Sequence, residues 1–321
     1  MGLSSLAVDG ASSGFDFSPT PCAICGILGT TAQADEQLYP AKVTFDDLNP
    51  DAFTARRHAA KDLGPPHYRI VRCRQCGLVR SNPTAPAAIL DRLYRESELT
   101  YAPETANLRY TYGRYITKAK KHGSVNQSFL EIGCGDGFML EEASRLGFQD
   151  VTGVEPSTAA LQHASLETRP RIRAEMFRPC LFQSQSFDLI ALFQTFDHIS
   201  DPAAALVEFH RLLRPGGRVL FLQHNVKAIS ACILGERSPI IDIGHTYLYD
   251  PATLGSMVRL HRFDLVEQGS VWNRYSIRYL ISLLPISPTS KQFLRSWAAR
   301  VALEGLNISV PLGNMYGIAK K

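Results

Sequence analysis

The chain has 321 residues, 45% hydrophobic and 20% charged, with 34 basic against 30 acidic side chains and a net charge of +4. This composition excludes a disordered or fibrous chain, and so weak a positive balance is no electrostatic footprint for nucleic acid. Seven cysteines, an odd number, exclude a fully paired disulfide framework. The first twenty residues lack a basic start and an apolar run, so no signal peptide is expected. No stretch reaches the ~18–20 apolar residues of a membrane span. The expected location is cytoplasmic, where C-x-x-C pairs are metal or redox sites before they are disulfides.

Residues 1–20, rich in Ser, Gly and Ala, are expected to be a flexible tail. Residues 21–83 carry Cys22-x-x-Cys25-Gly26 and Cys73-x-x-Cys76-Gly77 among many turn formers, with a short strand over 68–72 leading into Cys73. The two-residue gap lets both thiolates of a pair face one ion. Four thiolates at about 2.3 Å make a closed tetrahedral zinc site with no position left for substrate. Neither pair opens a helix in a βαβ unit, as a thioredoxin-like redox centre requires. Residues 84–124 are expected to form a helical connector able to act as a lid, because Ala87, Leu90, Leu93 and Tyr94 and then Leu108, Tyr112, Tyr115 and Ile116 recur at helical spacing.

From 125 the pattern is β-α-β-α. Strands are expected over 128–132, 150–155, 171–173, 187–193 and 218–222. Helices are expected over 138–146, after the cap Ser157, and after Asp201-Pro202, with a stop and turn at Arg214-Pro215-Gly216-Gly217. Alternation of this kind implies a parallel sheet covered on both faces. Farther on, 228–234 is a helix suited to a lid or to packing, 253–260 a helix and 262–268 a strand. The segment 291–304 reads as an amphipathic helix with Phe293, Leu294, Trp297, Ala298 and Val301 inward. Residues 314–319 return as the last strand, beside 218–222. Cys134, Cys180 and Cys232 read as ordinary buried thiols.

The central motif is Glu131-Ile132-Gly133-Cys134-Gly135-Asp136-Gly137, between a strand and a helix, where open α/β sheets bind ligands. The dinucleotide fingerprint needs glycine where Phe138 stands. Glu131 and Asp136 beside the loop would repel a pyrophosphate but suit a cation. S-adenosylmethionine (SAM), with its sulfonium and ammonium, fits. Glu155, ending the next strand, is placed to accept hydrogen bonds from both ribose hydroxyls.

The segment 129–137 together with Gly153-Val154-Glu155-Pro156, 186–190 and Leu213-Arg214-Pro215-Gly216-Gly217 resembles the class I SAM-dependent methyltransferases. Cys73-x-x-Cys76-Gly77-Leu78-Val79 followed by Asn82-Pro83 resembles the zinc-binding module that precedes bacterial methyltransferases of sugars and natural products. The resemblance covers about 20–321. It implies an α/β fold with a Rossmann-like, mostly parallel seven-stranded methyltransferase sheet over 125–321, an N-terminal zinc-ribbon module, and SAM and structural Zn2+ as cofactors. It places Gly133, Gly135 and Gly137 against the methionine part of SAM, Glu155 on the ribose, Met176 and Phe177 beside the adenine, and Phe193 and Gln194 on the floor. Glu131, Cys134 and Pro156 complete that set.

Methyl transfer needs an oriented nucleophile and, for a hydroxyl or an acidic C–H, a general base. His224, after the fifth strand, is the first candidate and His245 the second. His198 and Tyr247 are also expected at the site, although Asp197-His198 could equally order a turn. The expected acceptor is a small molecule: a sugar, a nucleotide sugar or a natural-product intermediate. RNA is the weaker alternative. Arg56-Arg57-His58, Arg69, Arg72, Arg74 and Arg80 give the front module some basic character, but without interleaved aromatics for stacking. A non-catalytic SAM-binding scaffold is the third reading. The sequence specifies no oligomeric state.

Overall fold

The computed structural model describes residues 19–26, 34–42, 65–97, 104–283, 287–300, 303 and 306–321. The tail 1–18, the Arg56-Arg57-His58 cluster, Val301 and Glu304 lie outside the described residues. The front of the chain supplies three short strands, β1 (Asp35–Tyr39), β2 (Ile70–Cys73) and β3 (Val79–Ser81). The large sheet takes β4 (Ser128–Ile132), β5 (Asp150–Val154), β6 (Ile172–Arg173), β7 (Phe187–Phe193) and β8 (Leu213–His224). The remaining strands are β9 (Tyr247–Leu248), β10 (Asp264–Ser270), β11 (Asn273–Ser276), β12 (Asn307–Val310) and β13 (Asn314–Lys320).

The large sheet has seven strands in the order β10-β13-β8-β7-β4-β5-β6. The five strands from β4 to β8 are parallel, β13 is antiparallel to β8, and β10, antiparallel to β13, runs in the same direction as the five. Every residue of β4 and β7 is buried, as strands covered on both faces require, and this is why both read as nearly unbroken apolar runs. The order reverses between β4 and β7, and the loops after these two strands open onto a crevice at the carboxyl edge.

Local signals set the helix starts. Asp201 accepts from the Ala204 amide at 3.0 Å ahead of helix Pro202–Leu212, and Ser157 from the Ala160 amide at 3.1 Å. Asp250 and Thr253 form a capping box that starts the next helix at Pro251, two residues earlier than expected. The turn expected at 214–217 is instead an irregularity inside β8, which keeps its pairing to β7 on both sides. Helix Thr105–Lys120, expected as part of a connector, belongs to the main core: Tyr112, Tyr115, Ile116 and Ala119 pack with Phe129, Met139 and Leu189.

Two expectations about exposure are overturned. Phe293 and Trp297 are 69% and 52% exposed, and of that stripe Ala298 is the buried member. Their helix packs on the short helix Ile277–Leu283, which is too small to cover them. Cys180 and Cys232 are exposed, whereas Cys134 is buried.

The small sheet has the order β1-β2-β3-β9, so two residues from beyond position 240 complete the sheet of the front module. Arg80 of β3 is fully buried and meets Asp35 through both terminal nitrogens, at 3.0 and 2.7 Å, while its Nε donates to the Thr20 carbonyl. The Ser81 amide donates to the Thr246 carbonyl and its hydroxyl to the His245 carbonyl. The front module therefore grips the main chain at His245 and Thr246. No helix among the described residues is long and apolar enough to cross a membrane.

Candidate active site

β4 delivers the chain to Gly133, whose φ is +74°. A side chain there would meet Thr195 Oγ1 at 2.7 Å, so glycine is required both by the backbone and by the space. The Gly133 amide returns to the Val154 carbonyl at 2.8 Å and ties the loop to β5. Glu155 follows β5. Its Oε2 accepts from the Gly135 amide and its Oε1 from the Ser157 amide, both at 2.8 Å. Burial raises this carboxyl despite those two amides. Glu131 is buried deeper. Burial first, then Glu155 and Asp136, raise its carboxyl well above the ordinary value, and its Oε2 has no hydrogen-bond partner.

The loop opens into a cavity of about 1210 Å3. Glu131, Gly133, Cys134, Gly135, Glu155, Pro156, Met176, Phe177, Phe193 and Gln194 line one part of it. Gly137 does not: it starts helix Phe138–Arg145, and a Cβ there would lie 2.4 Å from Thr168. Its glycine serves packing. Tyr112 stacks on Phe193 at 4.6 Å, and Leu90, Tyr94, Arg274, Tyr275 and Tyr279 also line the cavity.

Three histidines gather around Asp197. His198 donates from Nδ1 to the Gly244 carbonyl at 2.6 Å, leaving Nε2 3.9 Å from Asp197 Oδ1. His245 donates from Nδ1 to Asp242 Oδ1 at 2.7 Å, and its Nε2 lies 3.6 Å from Asp197 Oδ2. His224 donates from Nδ1 to Asn314 Oδ1 at 3.0 Å. Burial alone would raise the Asp197 carboxyl, but His198, His245 and His224 outweigh it and hold it below the usual carboxylate value. Burial pulls His224 below the usual imidazole value. All three histidines line the cavity, as does Asp242. Tyr247 is not among the lining residues: its hydroxyl donates to the Pro21 carbonyl at 3.1 Å, which makes it a tie to the front module.

The four cysteines meet within that module, packed against the main core. One ligand atom of each lies within 4.8 Å of all the others, and Cys22 Sγ is 3.4 Å from Cys76 Sγ. A tetrahedron with metal–sulfur bonds of about 2.3 Å has edges of about 3.8 Å, so the set suits zinc. The Gly26 amide returns to the Cys22 carbonyl and the Gly77 amide to the Cys73 carbonyl, making two matching knuckles.

A family model described as a methyltransferase domain matches residues 105–268. The chain belongs to that methyltransferase family. A ubiquinone biosynthesis O-methyltransferase of Paracidovorax citrulli is 30% identical over 168 residues, covering 48% of this chain and 70% of the relative. The protein of the same name from Vibrio cholerae is 31% identical over 171 residues, covering 49% and 68%. Among solved structures, a SAM-dependent methyltransferase from Archaeoglobus fulgidus aligns with a TM-score of 0.46 and 14% identity, over 69% of this chain and 99% of that one.

The methyltransferase sheet is the class I arrangement, and SAM is the methyl donor of the family. The residues present fit that cofactor. The Glu131 oxygen that has no hydrogen-bond partner among the described residues belongs to a cavity-lining side chain, the kind of atom an ammonium group or its bridging water satisfies. Sequence reading missed Asp242, Asn314 and the wall of Tyr94, Tyr112 and Tyr275. Asp242, three residues before His245, carried a readable signal. Asn314 carried none, because it meets His224 only through the β8–β13 register.

Proposed function

We propose that this methyltransferase moves the methyl group of SAM to an oxygen of a small-molecule acceptor bound in the cavity, with His198 as general base. The supporting observation is the buried Asp197 with three imidazoles around it that line the same cavity as the glycine loop. Glu131, Gly133, Cys134, Gly135 and Pro156 hold the methionine end and Glu155 holds the ribose. Met176, Phe177, Phe193 and Gln194 enclose the remainder. The names of the relatives favour oxygen as the methylated atom.

His198 suits the base role for two reasons. Its side chain is 13% exposed against 5% for His245, so it is the more accessible of the pair. Its Nδ1–H is committed to a carbonyl, which leaves Nε2 to take the proton, and Asp197 stabilises the imidazolium that results. The acceptor oxygen forms the new C–O bond as the C–S bond of the sulfonium breaks, and the hydroxyl proton passes to Nε2. We assign Cys22, Cys25, Cys73 and Cys76 a structural zinc ion that steadies residues 21–83 and, through β3, the backbone of His245.

The test is product analysis by mass spectrometry with labelled SAM and a panel of hydroxylated aromatic and sugar acceptors. Gain of one methyl group is expected. His198→Gln should lower kcat about tenfold or more while affinity for S-adenosylhomocysteine stays near wild type. An unchanged kcat removes His198 from the mechanism.

A further inference from the structure

Asp197, His224 and His245 each offer one ligand atom within 4.8 Å of the other two. Both histidines are committed at Nδ1, His224 to the side-chain oxygen of Asn314 and His245 to Asp242. A neutral ring that donates from one nitrogen presents the other as a lone pair. Asp197 is 1% exposed, and neither of its oxygens has a hydrogen-bond partner among the described residues. His245 Nε2 lies 3.6 Å from Asp197 Oδ2, so an imidazole lone pair and a buried carboxylate oxygen meet as acceptors, and acceptors repel until a cation joins them. Histidines whose outer nitrogen donates to a carboxylate or amide oxygen are also the usual support of metal ligands.

We propose that Asp197, His224 and His245 bind a divalent first-row transition-metal ion, at a site separate from the four cysteines. Two nitrogens and one oxygen suit Zn2+, Co2+, Ni2+ or Fe2+ better than Ca2+ or Mg2+, which prefer oxygen throughout. Three protein ligands leave positions open, and both histidines line the cavity. An acceptor hydroxyl in an open position gives up its proton more readily, and His198 stands beside it to take that proton. The ion, the Asp197 carboxylate and the acceptor oxyanion then sum to no net charge next to the sulfonium. The site stands without the methyl-transfer reading, and this use of it rests on that reading.

The experiment is metal counting on the full chain loaded with Co2+ and freed of excess. Wild type should hold about one equivalent more than the His224→Gln/His245→Gln variant. That extra ion should show weak visible bands without the intense sulfur-to-cobalt absorption of thiolate ligation. Asn314→Ala keeps all three ligands and should weaken Co2+ binding by about 10- to 100-fold. S-adenosylhomocysteine binding by the same samples reports whether each variant is folded. Equal counts in wild type and the double variant, with Co2+ affinity unchanged in Asn314→Ala, overturn the site. The count needs no acceptor, so its failure leaves methyl transfer standing, and a failure to find methyl transfer leaves the count intact.

Discussion

Glu155→Gln separates what the carboxylate does from what its shape does. The side chain is 9% exposed, and its two oxygens each take a backbone amide at 2.8 Å, from Gly135 and from Ser157. Glutamine keeps the shape but has one oxygen. Whichever way its amide turns, the NH2 group faces a backbone N–H, so one buried donor loses its acceptor and meets another donor. Hydrogen bonds to charged groups contribute about 1.5–3 kcal/mol, and an unsatisfied buried donor costs about 1–3 kcal/mol. Burial already raises the Glu155 carboxyl, so removing its charge recovers part of the loss. A net cost of about 2 kcal/mol is expected in urea unfolding. The strained amide belongs to the glycine loop, and under the proposed function the ribose hydroxyls of SAM lose an acceptor. SAM affinity by calorimetry should therefore fall by about 30-fold. Affinity within about threefold of wild type, at full stability, would refute the reasoning.

Two further outcomes are expected. Arg80→Met leaves Asp35 charged and 8% exposed, which should cost about 3–5 kcal/mol, and adding Asp35→Leu should recover most of it. Urea unfolding of the three variants checks this, and simple additivity would count against a coupled pair. Glu267 is held at about 2: burial opposes this, but Lys118, His122 and Tyr316 outweigh it. Its folded value is depressed from 4.5, so its contribution is full above that pH and is lost as pH falls through 2. Lys118 is 40% exposed, so screening reduces the contribution to about 1 kcal/mol. Denaturant unfolding at about pH 5 and about pH 2.5 should show Glu267→Gln losing less stability than wild type; parallel losses would exclude Glu267 as the titrating group.

Much of the fold was readable because its signals are local. The buried runs of β4 and β7, the caps Ser157, Asp201 and Asp250, and the glycine loop each depend on neighbours within a few positions. Where the reading failed, exposure depended on what lay opposite. The stripe at Phe293 and Trp297 has helical spacing, yet no large element among the described residues covers it. Arg214 to Gly217 has the composition of a turn, yet pairing with β7 carries the strand through it. Gly137 shares the loop motif but faces Thr168.

Sequence alone determined the two cysteine knuckles, the cofactor loop with Glu131 and Glu155, and the alternation that builds the parallel sheet. Each is a matter of spacing along a few residues. Only the tertiary structure decided how the histidines are used. It turned Tyr247 away toward Pro21, gave His245 to Asp242, paired His224 with Asn314 across β8 and β13, and set all three imidazoles around Asp197. Those partners lie as many as 226 positions apart. Register and packing bring them together, and neither is written in the identity of any single segment.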